Sequence, residues 1–241
     1  MNIGGQHIEF DDQYAQWKHW HGSSAFVSQR KDAKYFRGQF AGITMAGARV
    51  LDIGFGNGTF LAWAKSEGAQ ISGTELNSHS VRLGADKGFD VHLGAVDEIA
   101  ALDSERFDLI VMIDVLEHLP GESLVRTLRW IIAHLSDEGV CLARVPNAAS
   151  PFGLLIQDSD VTHCQRLSCD AFRQLAPVYG YEVISCGNQY RSWAGGFPAF
   201  RQLIQRTLRR AAEAFIRFVL EVRTAPLDMN IVVRLRRVRC T

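Results

Sequence analysis

Short apolar runs alternate with segments of helical spacing along most of the chain. From Arg49 onward, runs of strand length include "RVLDIG", "QISGTEL", "DVHLGAV", "FDLIVMIDVL" and "VCLARVPN". Between them, segments such as "GTFLAWAKSEGA" and "GESLVRTLRWIIAHLSDEG" carry apolar residues three or four positions apart, as one face of a helix requires. Strands that alternate with helices predict a doubly wound α/β fold, in which helices cover both faces of a largely parallel sheet.

The C-terminal part departs from this alternation. "SCDAFRQLAPVYGY" predicts a helix capped by Ser168 or Asp170, and "EVISCGNQY" and "MNIVVRLRRV" predict two closing strands. Because no complete crossover helix pattern joins these two strands, we predict a mixed edge and a sheet of seven strands in total.

Four segments follow from this pattern. Residues 1–48 are rich in aromatic residues and predict a helical cap or lid over the carboxyl edge of the sheet. Residues 49–198 form the α/β core, 199–229 an inserted helix, and 230–241 the last strand. In the cap, the aromatic residues could close the site as a lid together with His19 and His21, with Tyr14 and Trp17 as the pocket contributors, whereas ordinary helix packing is the alternative for most of these aromatic residues.

A glycine-rich turn follows the first strand of the core, in "VLDIGFGNGTFL". Gly54, Gly56 and Gly58 allow the backbone to approach a ligand closely, and the helix that begins near Thr59 points N–H groups at the same place. The turn lacks the lysine of a P-loop and the spacing of the dinucleotide fingerprint. Asp52 would repel a pyrophosphate, so a cationic or amino-acid-bearing ligand fits better.

These motifs, with Glu75, "FDLIVMIDVLEHLP" and "LARVPN", resemble those of class I S-adenosylmethionine-dependent methyltransferases that act on small molecules or glycans. The resemblance covers roughly residues 49–190 and the last strand, and it implies a Rossmann-like fold with S-adenosylmethionine as cofactor. It places the glycines at the methionine portion of the cofactor, Asp52 at its amino group and Glu75 at both ribose hydroxyls. The remaining cofactor residues that it implies are Leu76, Ile113 and Asp97, the last as a substitute because Ala95 occupies the usual acidic position.

Polar residues that could act on the acceptor follow the fourth and fifth strands. Asp114, Glu117 and His118 follow the fourth strand, and Asp160 and His163 follow the fifth. We predict His163, His118 and Asp114 as catalytic residues, with His163 as the preferred general base because imidazole titrates near neutral pH. The alternative for His163 is a loop histidine that caps the helix at Ser168.

The same residues resemble a metal site. Ubiquinone-pathway O-methyltransferases and RNA-terminal 2′-O-methyltransferases carry E-x-x-E-H with a later histidine, which here would correspond to Asp114, Glu117, His118 and His163. The first glutamate is replaced by aspartate, so we predict no metal. The alternative is a ubiquinone-type phenol or RNA-terminal 2′-O-methyltransferase that holds a divalent metal through these four residues. Asn147, at the end of the fifth strand, could bind the acceptor or satisfy the strand end.

The inserted segment 199–229 is a basic amphipathic helix. Apolar residues recur at helical spacing, and ten arginines lie between Ala199 and the C-terminus against three acidic residues. The segment could contact a membrane through residues 199–222, bind an anionic acceptor, form a dimer contact or simply cover the sheet. Its resemblance to insertions in methyltransferases of surface-glycan pathways implies O-methylation of a sugar hydroxyl as the leading function.

Residue composition bears on the cellular compartment of the protein and on the classes of partner that it could bind. The five cysteines (Cys141, Cys164, Cys169, Cys186 and Cys240) are odd in number and scattered, which predicts reduced thiols in a cytoplasmic protein, with contact to the inner face of the membrane as an option. "MNIGGQHIEFDD" does not resemble a signal peptide. Nucleic acid is not an expected partner, because the late arginines lack interleaved aromatic residues. A non-catalytic, cofactor-binding or membrane-associated protein remains the alternative to an enzyme.

Overall fold

The computed structural model describes residues 25–192 and 200–238, the helical backbone of 197–199, and a short antiparallel pair near the N-terminus, Asn2–Ile3 with Gln6–His7. Its main sheet has seven strands: β1 (Arg49–Ile53), β2 (Gln70–Glu75), β3 (Asp90–Leu93), β4 (Phe107–Ile113), β5 (Leu135–Pro146), β6 (Tyr181–Asn188) and β7 (Asn230–Arg237). Their order is β3-β2-β1-β4-β5-β7-β6, and only β7 runs antiparallel to its neighbours. The predicted doubly wound, mixed seven-stranded fold is confirmed.

The described helices are α1 (Arg30–Gln39), α2 (Thr59–Ser66), α3 (Ser78–Asp86), α4 (Gly121–His134), α5 (Leu154–Gln157), α6 (Cys169–Val178) and α7 (Phe197–Leu220). Ser168 caps α6, since its Oγ accepts a hydrogen bond from the Ala171 N–H at 3.1 Å. The helix predicted up to Gly139 ends at His134 instead. Leu135 is buried and pairs with Phe107, which starts β5 earlier than the pattern indicates.

Alternating strand residues bury both faces of the sheet. Leu51, Ile110 and Met112 face α4 and α6, whereas their neighbours Val50 and Leu109 face α1 and α2. Each face therefore carries its own apolar core, as expected when helices cover both sides of a parallel sheet.

Helix α1 belongs to the second of these cores. Phe36 and Phe40 pack on Phe60 and Trp63, with ring centroids 5.0 to 5.5 Å apart. This part of the predicted cap therefore lies on a face of the sheet rather than over its carboxyl edge. The predicted lid residues Tyr14, Trp17, His19 and His21 lie outside the described residues.

The cysteine prediction is wrong for one pair. Cys169, at the start of α6, and Cys186, in β6, form a disulfide, because α6 packs beside β6 and brings their Cα atoms to 5.6 Å. Cys141 and Cys164 are free thiols. Since disulfides are rare in reducing compartments, the cytoplasmic prediction loses the support of reduced cysteines. In the part of the chain that the structure describes, no helix combines the length and apolarity needed to cross a bilayer.

Candidate active site

The glycine turn joins β1 to α2 at the carboxyl edge of the sheet, next to the turn that follows β4. Gly54, Gly56 and Gly58 have φ angles of 71°, 54° and 70°, in the left-handed region that favours glycine. A Cβ on Gly54 would lie 2.5 Å from Cγ2 of Val115, and one on Gly58 would lie 2.3 Å from the Phe26 ring. Backbone conformation and close packing therefore both require glycine at these two positions.

Asp52 lies in β1, just before the glycine turn. Its side chain is 2% exposed and makes no hydrogen bond to any described residue. Burial raises the pKa of Asp52 well above its usual range, and the nearby negative charge of Glu75 raises it further. A buried carboxyl group beside a second carboxylate favours a cationic ligand, which would offset the cost of ionising it.

Glu75 connects the end of β2 to the glycine turn. Its Oε2 accepts a hydrogen bond from the Gly56 N–H at 2.9 Å, and its Oε1 accepts from the N–H groups of Leu76 and Asn77 at 2.7 and 3.1 Å. The N-cap of α3 is Asn77, which accepts from the Ser80 N–H, so Glu75 is not a helix cap. Leu76 is 62% exposed and presents an apolar side chain beside this carboxylate.

The other two predicted cofactor residues lie at the ends of the neighbouring strands. Asp97 is in a 3₁₀ turn after β3 and accepts a hydrogen bond from Arg126 Nε at 2.8 Å, so an ion pair already engages one of its oxygens. Ile113 is the last residue of β4 and packs partly buried against the core under α1 and α2.

Three predicted acceptor-site residues converge after β4. Glu117 and His118 lie in the 3₁₀ turn Leu116–His118, and His163 comes from the loop after α5. One potential ligand atom from each lies within 4.8 Å of the others, and the two imidazole rings meet edge-to-face with centroids 4.6 Å apart. Main-chain bonds fix the two loops together, because the Glu117 carbonyl accepts from the N–H groups of Cys164 and Gln165.

Each imidazole in this cluster is oriented through its Nδ1 atom. His118 Nδ1 lies 2.8 Å from the Thr162 hydroxyl, which donates in turn to Asp160 at 2.5 Å. His163 Nδ1 lies 3.1 Å from the Gln157 carbonyl oxygen. His163 therefore does not cap α6, since Ser168 does so.

The structure does not bring Asp114 into this cluster. Asp114 has a φ of 58°, and its carboxylate forms a two-pronged ion pair with Arg144 of β5, which also lies 3.3 Å from the Tyr35 hydroxyl. Asp114 precedes the 3₁₀ turn that carries Glu117, so the two do not share a helical face. The four-residue metal set kept as the alternative thus reduces to three.

Asn147 has the second of its two predicted roles, because it satisfies the end of strand β5. It is fully buried, its Nδ2 donates to the carbonyl groups of Pro226 and Asp228 at 2.8 and 3.1 Å, and its Oδ1 accepts from the Ala149 N–H. All of these bonds are internal, so Asn147 ties the end of β5 to the segment before β7.

A family described by its methyltransferase domain matches residues 27–186, well over half of the chain. The chain belongs to this methyltransferase family. The match spans both the glycine turn and the Glu117–His118–His163 cluster. The methyltransferase uses S-adenosylmethionine as its cofactor, and the buried Asp52 carboxyl group and the side-chain-free glycine turn fit a cationic ligand of this kind.

Curated relatives are similar to a limited part of the methyltransferase. Ubiquinone biosynthesis O-methyltransferase from Bordetella parapertussis is 32% identical over 88 residues, which cover 34% of this chain and 36% of the relative. The protein of the same name from Chromobacterium violaceum is 31% identical over 96 residues, which cover 37% and 41%. The chain thus spans well under half the length of the curated relatives it matches.

Solved structures share the overall fold of the methyltransferase. An S-adenosylmethionine-dependent methyltransferase from Archaeoglobus fulgidus has a TM-score of 0.64 at 19% identity, covering 94% of this chain and all of that one. Another from Mesorhizobium loti has a TM-score of 0.60 at 16% identity, covering 85% and 98%. At these identities the likeness concerns the fold.

Sequence reasoning missed two residues of the methyltransferase site. Thr162 links His118 to Asp160, and the only signal was its position between Asp160 and His163. Arg144 holds Asp114, and an arginine within the apolar strand "VCLARVP" is a signal that a partner carboxylate lies on a neighbouring strand.

Proposed function

We propose that this methyltransferase transfers the methyl group of S-adenosylmethionine to a hydroxyl oxygen of its acceptor. The observation that supports the proposal is the meeting of Glu117, His118 and His163 within 4.8 Å of one another after β4. Strand β4 pairs directly with β1, and Val115 contacts the position where Gly54 would carry a side chain. The cluster is therefore next to the turn assigned to the cofactor.

On the cofactor side, each residue contacts one part of S-adenosylmethionine. Asp52 faces the cofactor amino group, the glycine turn follows the methionine portion, and Glu75 accepts hydrogen bonds from the ribose hydroxyls. Three main-chain N–H groups already occupy most of the acceptor sites of this carboxylate, so the ribose hydroxyls would have to replace at least one of them. Leu76, Asp97 and Ile113 complete the adenosine pocket.

On the acceptor side, the hydroxyl must lose its proton as the methyl group is transferred. The acceptor oxygen attacks the methyl carbon, the bond from carbon to sulfur breaks, and the hydroxyl proton passes to a base. His163 is the proposed base, and His118 supports it. Both imidazoles are held through Nδ1, which fixes the ring orientation, and Nε2 of His163 lies 3.9 Å from Oδ2 of Asp160.

A divalent cation is the second candidate for this step, favoured by the composition of the cluster. One carboxylate and two imidazoles form a donor set that suits zinc or a related divalent metal, and Nδ1 bonds to an oxygen acceptor are typical behind metal-bound histidines. When bound, such a cation would polarise the acceptor hydroxyl. Asp114 would not be a ligand, because Arg144 engages it.

Two classes of acceptor hydroxyl are candidates for this reaction. The names of the curated relatives favour a phenol hydroxyl over the sugar hydroxyl expected from the sequence, although each match covers only part of either protein. A sugar acceptor stays a prediction, as does the absence of nucleic acid among the partners.

The test is methyl transfer from labelled cofactor to a catechol and to lipid-linked glycan fractions of a cell extract. We expect an O-methyl product. His163→Gln should lower kcat by about 10²-fold or more, with the Kd of the cofactor unchanged, as loss of a general base predicts. Label only on nitrogen or carbon atoms, or an unaltered kcat, would exclude the proposed role of the cluster.

Metal analysis then separates the two proton-transfer routes. A metal site predicts about one divalent ion per chain, activity lost to chelator, and metal lost in Glu117→Gln but kept in the matched variant Asp114→Asn. A metal-free, chelator-resistant enzyme supports His163 as the base.

A further inference from the structure

Helix α7 exposes its apolar face to solvent, whereas an ordinary surface helix buries that face. Its larger apolar side chains point to solvent, with exposed fractions from 44% for Ile204 to 84% for Phe218. The set comprises Phe200, Leu203, Ile204, Leu208, Phe215, Phe218 and Val219. These positions recur at spacings of three and four residues, so they share one face of the helix.

The opposite face of α7 contacts the rest of the protein through polar groups. Arg209 forms an ion pair with Asp228, which is only 1% exposed, and Arg206 donates to the Arg191 carbonyl. Glu213 Oε1 accepts from Asn188 Nδ2 at 2.6 Å and from the Leu227 N–H. The helix is thus attached by its charged side, and the alternative in which its apolar side covers the sheet is wrong.

Exposed arginines border the apolar face. Arg210 and Arg217 lie two helical turns apart along one edge of the face, and Arg201 lies along the other edge. All three are exposed. Long cationic side chains beside an apolar face can reach lipid headgroups while the apolar residues enter the acyl boundary.

We propose that α7 is an in-plane membrane anchor that binds bilayers rich in anionic lipid. This goes beyond methyl transfer and does not rest on the acceptor assignment. A second copy of the chain is the less favourable occupant of the face, because pairing two copies would bring the bordering arginines together, while Glu213 within α7 is already bonded and only Glu221, just beyond its end, is an exposed carboxylate of the described segment 200–222. Anionic headgroups supply the missing charge.

The anchor is tied to the edge of the sheet that carries the active site. Asn147, at the end of β5, bonds to the carbonyl groups of Pro226 and Asp228, and the Ser150 hydroxyl bonds to that of Leu227. These residues lie between α7 and β7. Binding of α7 to a bilayer would therefore hold the carboxyl edge of β5 near the membrane, where a lipid-linked or lipid-soluble acceptor resides.

The first experiment is co-sedimentation of the full chain with phosphatidylcholine vesicles, with and without phosphatidylglycerol. We expect binding to the anionic vesicles to be stronger by about tenfold or more and to weaken at high salt. Phe218→Ser should reduce the partition constant about tenfold, the loss expected for one buried aromatic side chain. The matched control is Val178→Ser, an apolar side chain of similar exposure (72%) outside α7, which should change nothing.

A second pair of variants tests the charges. Arg210→Gln with Arg217→Gln should weaken binding to anionic vesicles about tenfold and reduce its salt dependence. The control replaces the exposed Arg30 and Arg129 in the same way. Circular dichroism and cofactor affinity should be unchanged in all variants, since each altered side chain is exposed.

Two results would overturn the proposal. One is equal or absent binding to both kinds of vesicle. The other is a dimer in sedimentation equilibrium that Phe218→Ser dissociates, without any vesicle binding, which would assign the face to a second copy of the chain.

Discussion

Replacing Asp52 by asparagine should separate folding stability from cofactor binding. The carboxyl group is buried, lacks a hydrogen bond to any described residue and lies close enough to Glu75 to feel its charge, so its pKa is raised in the folded state. The folded protein therefore holds this proton more tightly than the unfolded chain does. Asp52 contributes most to stability below its unfolded pKa, and this contribution is lost as the pH rises towards the folded pKa.

The size of the effect follows from proton linkage. Between the two pKa values, each pH unit costs the folded wild-type protein about 1.4 kcal/mol, a cost that the uncharged Asp52→Asn side chain does not have. For a chain of this length, 1 kcal/mol corresponds to roughly 2–4 °C in Tm. Without cofactor, the Tm of the variant should thus exceed that of the wild type by a margin that widens by about 3–6 °C for each pH unit from ~4 up to the folded pKa and is constant above it.

Cofactor should reverse the order of the two proteins. S-adenosylmethionine brings a positive charge to the carboxylate, and loss of one charge-assisted interaction of about 1.5–3 kcal/mol should raise the Kd of the variant at least about tenfold. The assays are thermal melts from acidic to slightly alkaline pH, with and without cofactor, and isothermal calorimetry. Asp86→Asn, the same change at an exposed aspartate, is the control.

Two outcomes would refute this reasoning. A Tm difference that does not vary with pH would mean that Asp52 is not a buried titrating group. An unchanged Kd would mean that Asp52 does not face the cofactor.

Four further substitutions test other parts of the site. Glu75→Ala should raise the cofactor Kd by an order of magnitude or more in calorimetry, and an unchanged Kd would remove Glu75 from the site. Gly54→Ala should lower Tm and cofactor affinity together, because φ is positive and the new Cβ would meet Val115; wild-type values would contradict the packing described. Asn147→Ala should destabilise the fold by about 1–3 kcal/mol in urea, leaving the acceptor KM unchanged, whereas a raised KM would restore its acceptor role. Thr162→Val should lower kcat without changing the cofactor Kd, because His118 loses its Nδ1 partner, and an unchanged kcat would leave Thr162 without a role in the site.

The fold could be predicted because each strand and helix carries its own periodic signal. The run "FDLIVMI" is apolar on both faces, as a central parallel strand must be, and it became β4 between two helical layers. The glycine turn was equally predictable, because glycine adopts positive φ angles more readily than any other residue. The length of β5 could not be predicted, since Leu135 joins the sheet only by pairing with Phe107, which is distant in the sequence.

The acceptor site was only partly predictable, since side-chain direction depends on neighbouring strands. The spacing D-x-x-E-H made Asp114 and Glu117 look like partners, yet a positive φ at Asp114 turns its carboxylate to Arg144. For α7, the period of apolar residues was predicted, but the sequence left open which face of the helix contacts the protein. A buried Asp228 from a distant segment selects the arginine side of the helix, and periodicity does not report that choice.

The central claim is that the glycine turn, Asp52 and Glu75 bind S-adenosylmethionine next to the Glu117–His118–His163 cluster. A crystal structure with bound S-adenosylhomocysteine tests it most directly. The account predicts ribose hydroxyls on the Glu75 carboxylate, the amino group towards Asp52 and the sulfur atom directed at the cluster. A nucleoside bound away from Glu75, or a sulfur atom that faces away from His163, would contradict it.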